Sequence, residues 1–199
     1  MRKILGTMLV LLLAALVGTG SGPAWAACSV PLFAYRHGTV TFAEGGHVAR
    51  IHVEIADKSA QIEVGLMCRP SLDADAGMLF DFPYTTQSSF WMKNTLVPLA
   101  IAFIDSDWHI VRIMEMAVAP DPTADDASKF PLYNPQKPYR YALEVNTGYF
   151  TKHNLDDHAD VRFIPEGSLS PRRGVPAEVA GGPGSAPRPS SMELTLSLW

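Results

Sequence analysis

The chain has 199 residues, is 47% hydrophobic and 18% charged, and sets 16 Lys and Arg against 20 Asp and Glu for a net charge of −4. That length and composition belong to one globular domain with short appendages, not to a fibrous or wholly disordered chain. An acidic balance without a basic stripe excludes nucleic acid as the expected partner.

Arg2 and Lys3 precede an apolar run from Ile4 to Val17, broken only by Gly6 and Thr7, and Ala24-Trp25-Ala26 fits the small-x-small cleavage rule. Residues 1–26 read as a signal peptide. Gly18 to Pro23 ends the run short of the roughly 20 apolar residues that a membrane anchor needs, so no integral membrane segment is expected after cleavage. Acylation of Cys28 would call for an aliphatic residue where Trp25 stands. Losing Arg2 and Lys3 leaves 14 basic residues against 20 acids, a net of −6. The expected location is the periplasm or outside the cell.

Export leads to an oxidising compartment, and the two cysteines that remain, Cys28 and Cys68, admit one disulfide. A buried free thiol at Cys68 is the competing reading, and a reactive or metal-ligating Cys68 is a third.

After an N-terminal segment at 27–38, a single β-rich domain is expected over 39–165. Val48 to Ala56 alternates apolar and polar residues as a half-buried strand, and Thr39 to Ala43 pairs with it through Glu44-Gly45-Gly46. Ser59 is the expected N-cap of a short helix over Ala60 to Met67, closed by Pro70. Strands follow at Met78 to Phe82, Ser89 to Met92, Leu99 to Asp105 and Trp108 to Met116. Leu99 to Ile104 is apolar throughout and belongs inside the sheet or lines a barrel.

Residues 117–138 hold five prolines and read as a long surface loop. Tyr139 to Val145 returns to strand, Thr147 to His153 makes a turn or two of helix, and Ala159 to Ile164 closes the domain. From 166 to 199 the chain reads as a disordered tail rich in Pro, Gly and Ser. Its end, Met192 to Trp199, alternates like a peptide able to add to a sheet edge. The fold class is thus mostly β: a compact antiparallel sheet or small open β-barrel with about two short helices.

Three blocks carry a family resemblance: Gly65-Leu66-Met67-Cys68-Arg69-Pro70-Ser71-Leu72 with Gly77-Met78-Leu79-Phe80, then Ser89 to Asp105, then Ala142-Leu143-Glu144-Val145-Asn146-Thr147-Gly148. Together they resemble the bacterial and archaeal family called domain of unknown function 192, over roughly residues 48–164. The resemblance implies a compact β domain with short helices, often exported and without an established activity. Two positions depart from it. The family commonly has aspartate in its Pro-Leu-Asp step where this chain has Ala100, and an aromatic residue where it has Cys68. If that aspartate is catalytic in relatives, this chain lacks the activity.

Lys93, Asn94 and Thr95 follow the Phe90-Trp91-Met92 run and put a cation, an amide and a hydroxyl beside aromatic surface. Such a rim suits a small anionic or amphipathic ligand, and it equally suits a self-bonded turn. Glu144 and Asn146, two apart on a strand, share a face opposite Leu143 and Val145. Arg69 stands where it can meet helix carbonyls or a ligand carboxylate.

Methionines 67, 78, 92, 114 and 116 provide thioethers but lack His-x-Met or Cys-x-x-Cys partners, and the histidines show no metal-ligand spacing. No cofactor or metal is expected. The sequence therefore points to an exported module binding a small ligand or a protein partner through Arg69, Trp91, Lys93, Asn94, Glu144 and Asn146. A hydrolase-like enzyme in the same cleft is the alternative, although no Gly-x-Ser-x-Gly elbow is present. An interaction protein acting through the 117–138 loop or the tail is a third.

Overall fold

The computed structural model describes residues 28–167. The expected signal peptide and almost all of the expected tail, including its alternating end, lie outside the described residues.

β1 (Arg36–Glu44) and β2 (His47–Ala56) form an antiparallel hairpin. Its two-residue turn needs positive φ twice, which Gly45 (54°) and Gly46 (86°) supply without steric cost. Alternate residues of β2, Ala49, Ile51, Val53 and Ile55, are buried, as its binary pattern requires.

α1 (Ser59–Val64) comes next. Ser59 is its first residue, not its cap. Lys58 holds the cap position, and the buried Gln61 reaches back to accept from the Lys58 and Asp57 amides at 3.2 and 3.3 Å. The Gln61 amide group also donates to the Ala34 carbonyl at 3.2 Å, so one side chain satisfies both the helix start and the N-terminal arm. The helix stops short of Met67 because Gly65 turns to φ 51°.

Crossing through α1 lets β3 (Ala76–Thr86) run parallel to β2, and here the all-antiparallel expectation is corrected. The remaining strands, β4 (Leu99–Ile104), β5 (Ile110–Met116), β6 (Tyr139–Asn146) and β7 (Asp160–Pro165), pair antiparallel. Their order is β5-β4-β6-β3-β2-β1-β7 in one mixed sheet. The sheet is open, since among the described residues no pairing joins β5 to β7. α2 (Tyr149–Lys152) is a single turn after β6.

β4 is buried along its whole length, since both faces of the sheet are covered. One core gathers Phe42, Ile51, Ile104, Leu143, Val145 and Phe150, and the other gathers Met78, Phe80, Met92, Ile101, Phe103 and Tyr139.

The expected strand over Ser89 to Met92 is not formed. Phe90 instead makes one isolated bridge with Tyr133, its amide donating to the Tyr133 carbonyl at 2.9 Å and its carbonyl accepting from the Tyr133 amide at 2.8 Å. The partner comes from the proline-rich loop, where prolines cannot extend a ladder. That loop has its own small core of Ala119, Ala124 and Phe130, with a 3-10 turn at Ala127–Lys129 capped by Asp126.

Cys28 and Cys68 form a disulfide with Cα atoms 5.4 Å apart, which ties the N-terminal arm to the exit from α1. No helix among the described residues is long and apolar enough to cross a membrane.

Candidate functional site

β6 carries Glu144 on the face of the second core. Pairing places Met78 of β3 and Ile101 of β4 directly beside it, both fully buried, so the carboxyl has apolar neighbours on either side within the sheet. Glu144 is 5% exposed, and its carboxyl makes no hydrogen bond or ion pair among the described residues. Burial pushes its pKa up to about 8, because desolvation penalises the charged form.

This acid lies on the wall of a cavity of about 310 Å³. The α1 turn provides one side through Ile62 to Met67, and β3 provides Phe80 and Phe82. The segment after β3 closes it with Ser88, Ser89, Phe90, Trp91 and Thr95.

Edge-to-face packing sets the aromatic wall: Phe90 lies 5.0 Å from Phe80 and 5.7 Å from Phe103, and Phe103 lies 4.9 Å from Tyr139. The buried Tyr139 hydroxyl donates to the Ser88 carbonyl at 2.7 Å, and Asn134 donates to the Gln87 carbonyl at 2.6 Å, so the wall is fastened to β6 and to the loop. Gly65 is required here, since a Cβ at that position would come within 3.1 Å of the Phe80 ring.

Of the six residues singled out from sequence, the structure brings Trp91 and Glu144 into this cleft and places the other four elsewhere. Arg69 pairs with Glu54 and has its guanidinium 5.9 Å from the centre of the Tyr35 ring. Lys93 places its Nζ 5.8 Å from the centre of the Trp91 ring and does not line the cleft. Asn94 adopts φ 53° as a turn residue, donating from its amide to the Pro122 carbonyl at 2.6 Å and accepting from the Cys68 amide at 2.7 Å. Asn146 spends its side chain on the Leu72 and Asp73 carbonyls at 3.1 and 2.9 Å.

Of the expected rim of Lys93, Asn94 and Thr95, only Thr95 lines the cleft. Its polar groups are Glu144, Thr95, Ser88, Ser89 and Glu63. Ala100, where the resemblance led to an expectation of aspartate, packs in the opposite core, so that position and Glu144 belong to different faces of the sheet. Sequence reasoning missed Phe80, Phe82 and Glu63 as cleft residues. Phe80 and Phe82, two apart on one strand and therefore on one face, were the available signal.

One open, seven-stranded mixed sheet with short helices, holding an acid in an aromatic cleft on one face, defines a mostly β class of domain over the described residues. The chain belongs to the DUF192 family, described as an uncharacterized ACR, which matches residues 40–163. It is similar to the crystal structure of a proposed transcription regulator from Sinorhizobium meliloti 1021, with 32% identity and a TM-score of 0.59, covering 67% of this chain and 98% of that one. It is also similar to a protein of unknown function from Novosphingobium aromaticivorans DSM 12444, with 26% identity and a TM-score of 0.56, covering 72% of this chain and 99% of that one. No curated protein matches.

Proposed function

We propose that the chain is an exported binding module that takes a small, mostly apolar molecule into the cleft beside Glu144. One observation carries the reading: the Glu144 carboxyl, unpaired among the described residues, lines a cavity whose other walls are mainly aromatic and aliphatic, with Glu63, Ser88, Ser89 and Thr95 as the further polar groups. A ligand that offers this carboxyl a partner gains a directed contact in addition to the burial of its apolar body. Export rests on the N-terminal pattern and places the module in the periplasm or outside the cell.

A fragment screen against the 15N-labelled chain tests the binding reading. Amide shifts should cluster at 62–67, 88–95 and 144. A screen in which hits scatter, or fall only elsewhere, removes the proposal. Intact mass of the protein recovered from a periplasmic fraction, beginning at Ala27, tests export.

A hydrolase-like activity has one observation in its favour, because a carboxyl titrating near pH 8 is protonated at neutral pH and suits a general acid. No histidine lines the cleft to activate Ser88 or Ser89, which makes binding the stronger reading. The proposed partner is accordingly a small molecule, and a net charge of −4 does not suit a nucleic-acid partner.

A further inference from the structure

We propose that the cleft is a subsite for an organic ammonium, a primary or substituted amine on an apolar body, with its charged nitrogen set against the Glu144 carboxyl. This rests on the reading of the cleft as a binding site and adds the chemical class of its occupant.

Charge is the first argument. Among the described residues, the ionisable side chains lining the cleft are both acids, Glu63 from α1 and Glu144 from β6, and no Lys, Arg or His lines it. Arg69 pairs with Glu54 and Arg140 with Asp81, while Lys93 rests 5.8 Å from the ring centre of Trp91 without itself lining the cleft. An anionic ligand would meet two carboxyls and no counter-charge.

The second argument is the state of Glu144. A buried carboxylate needs a cation or several donors, and the described residues give it neither. An ammonium satisfies both needs, and charge-assisted hydrogen bonds are roughly twice as strong as neutral ones. The third is the wall. Phe82, Phe90 and Trp91 surround the space, and Trp91 already has an ammonium, that of Lys93, 5.8 Å from its ring centre.

Proton balance gives the inference a signature. Free Glu144 holds its proton at pH 7, and an ammonium entering beside it displaces that proton to solvent, leaving a carboxylate–ammonium pair. Affinity should therefore rise by about 50-fold from pH 6 to pH 8. Glu63 is the other titratable group on the cleft, while Met78 and Ile101 flank Glu144 from β3 and β4.

The test titrates the full-length chain with 2-phenylethylammonium, 2-phenylethanol and phenylacetate, following backbone amides at pH 6 and pH 8. Expected is binding of the ammonium at least tenfold tighter than the other two, tightening with pH, and at least tenfold weaker in Glu144→Gln. Alcohol or carboxylate binding as tightly as the ammonium overturns the inference and leaves the cleft as a binding site for another class. No shift at cleft residues with any probe overturns both. The comparison of three probes uses the unaltered protein, so it decides even if the variant misfolds.

Discussion

A carboxyl lodged between Met78 and Ile101 makes folding depend on pH in a direction opposite to that of most acids. Glu144 titrates near 4.5 when unfolded and near 8 when folded. Below 4.5 it is protonated in both states and costs nothing. Between 4.5 and 8 the unfolded chain has released a proton that the native state retains, so stability falls as pH rises, and above 8 the loss is complete at roughly 4 to 5 kcal/mol. Thermal unfolding from pH 4 to 9 should show this decline in the unaltered chain. Glu144→Gln should lack it and should be more stable at pH 8 by roughly 2 to 5 kcal/mol. Identical pH profiles for the two proteins would assign the decline to other groups. Ala100 is informative for the opposite reason. It is fully buried and pairs with Glu115 on β5, whose carboxylate accepts from the Thr147 hydroxyl and the Gly148 amide. Placing an acid there with Ala100→Asp would bury a carboxyl against Glu115, at a cost of roughly 3 kcal/mol or more in urea unfolding at pH 7. A neutral outcome would mean that Glu115 swings away to accommodate it.

The α1 crossover is the element on which the cleft depends, for it provides one wall and leads directly to Cys68. The Cys28–Cys68 bond spans 40 residues, which corresponds to about 3 to 4 kcal/mol of loop-closure entropy. The double variant Cys28→Ser with Cys68→Ser should lose most of that in denaturant unfolding, and hydrogen exchange should quicken at 29–35 and 64–68. Unchanged exchange there would show that Gln61 and its bond to Ala34 hold the arm unaided. β3 pairs with β6 at Gly77, where a Cβ would lie 2.5 Å from the Glu144 carbonyl oxygen. Gly77→Ala should therefore cost at least about 2 kcal/mol by forcing the two strands apart, and a smaller loss would mean that the register shifts locally. Strand periodicity made β1, β2, β4, β5, β6 and β7 legible, because alternation or a continuous apolar run is a local signal. The parallel pairing of β3 was not legible, since a crossover and a hairpin leave similar patterns in one chain. Ser89 to Met92 has the residue types of a strand, yet its pairing was decided by Tyr133, some forty residues away. Glu144 stood out as an acid within an apolar strand, whereas the duties of Asn94, Asn146 and Arg69 depend on carbonyls and acids brought in by the fold.

At the scale of the whole molecule, two cores share one sheet, and β2, β3, β4 and β6 contribute to both. Neither core can dissolve while the strands between them stay paired, so the described domain should unfold in one step. Trp108 packs on the first core and Trp91 beside the cleft on the other face, so each reports on one side. Their fluorescence transitions, separated by replacing one or the other with Phe, should share a single midpoint in urea. Midpoints that diverge by more than about 0.5 M would reveal two independently melting layers. The same arrangement has a mechanical meaning through the disulfide. A pull applied at Cys28 passes through sulfur to Cys68 and enters the sheet at β3, bypassing the arm, the β1–β2 hairpin and α1. Those residues hang as a loop that bears no tension and cannot be drawn out until the bond is reduced, which removes about 130 to 140 Å from the length that the stretched chain can reach. The covalent link thus shields one side of the cleft from tension applied at the N-terminal arm.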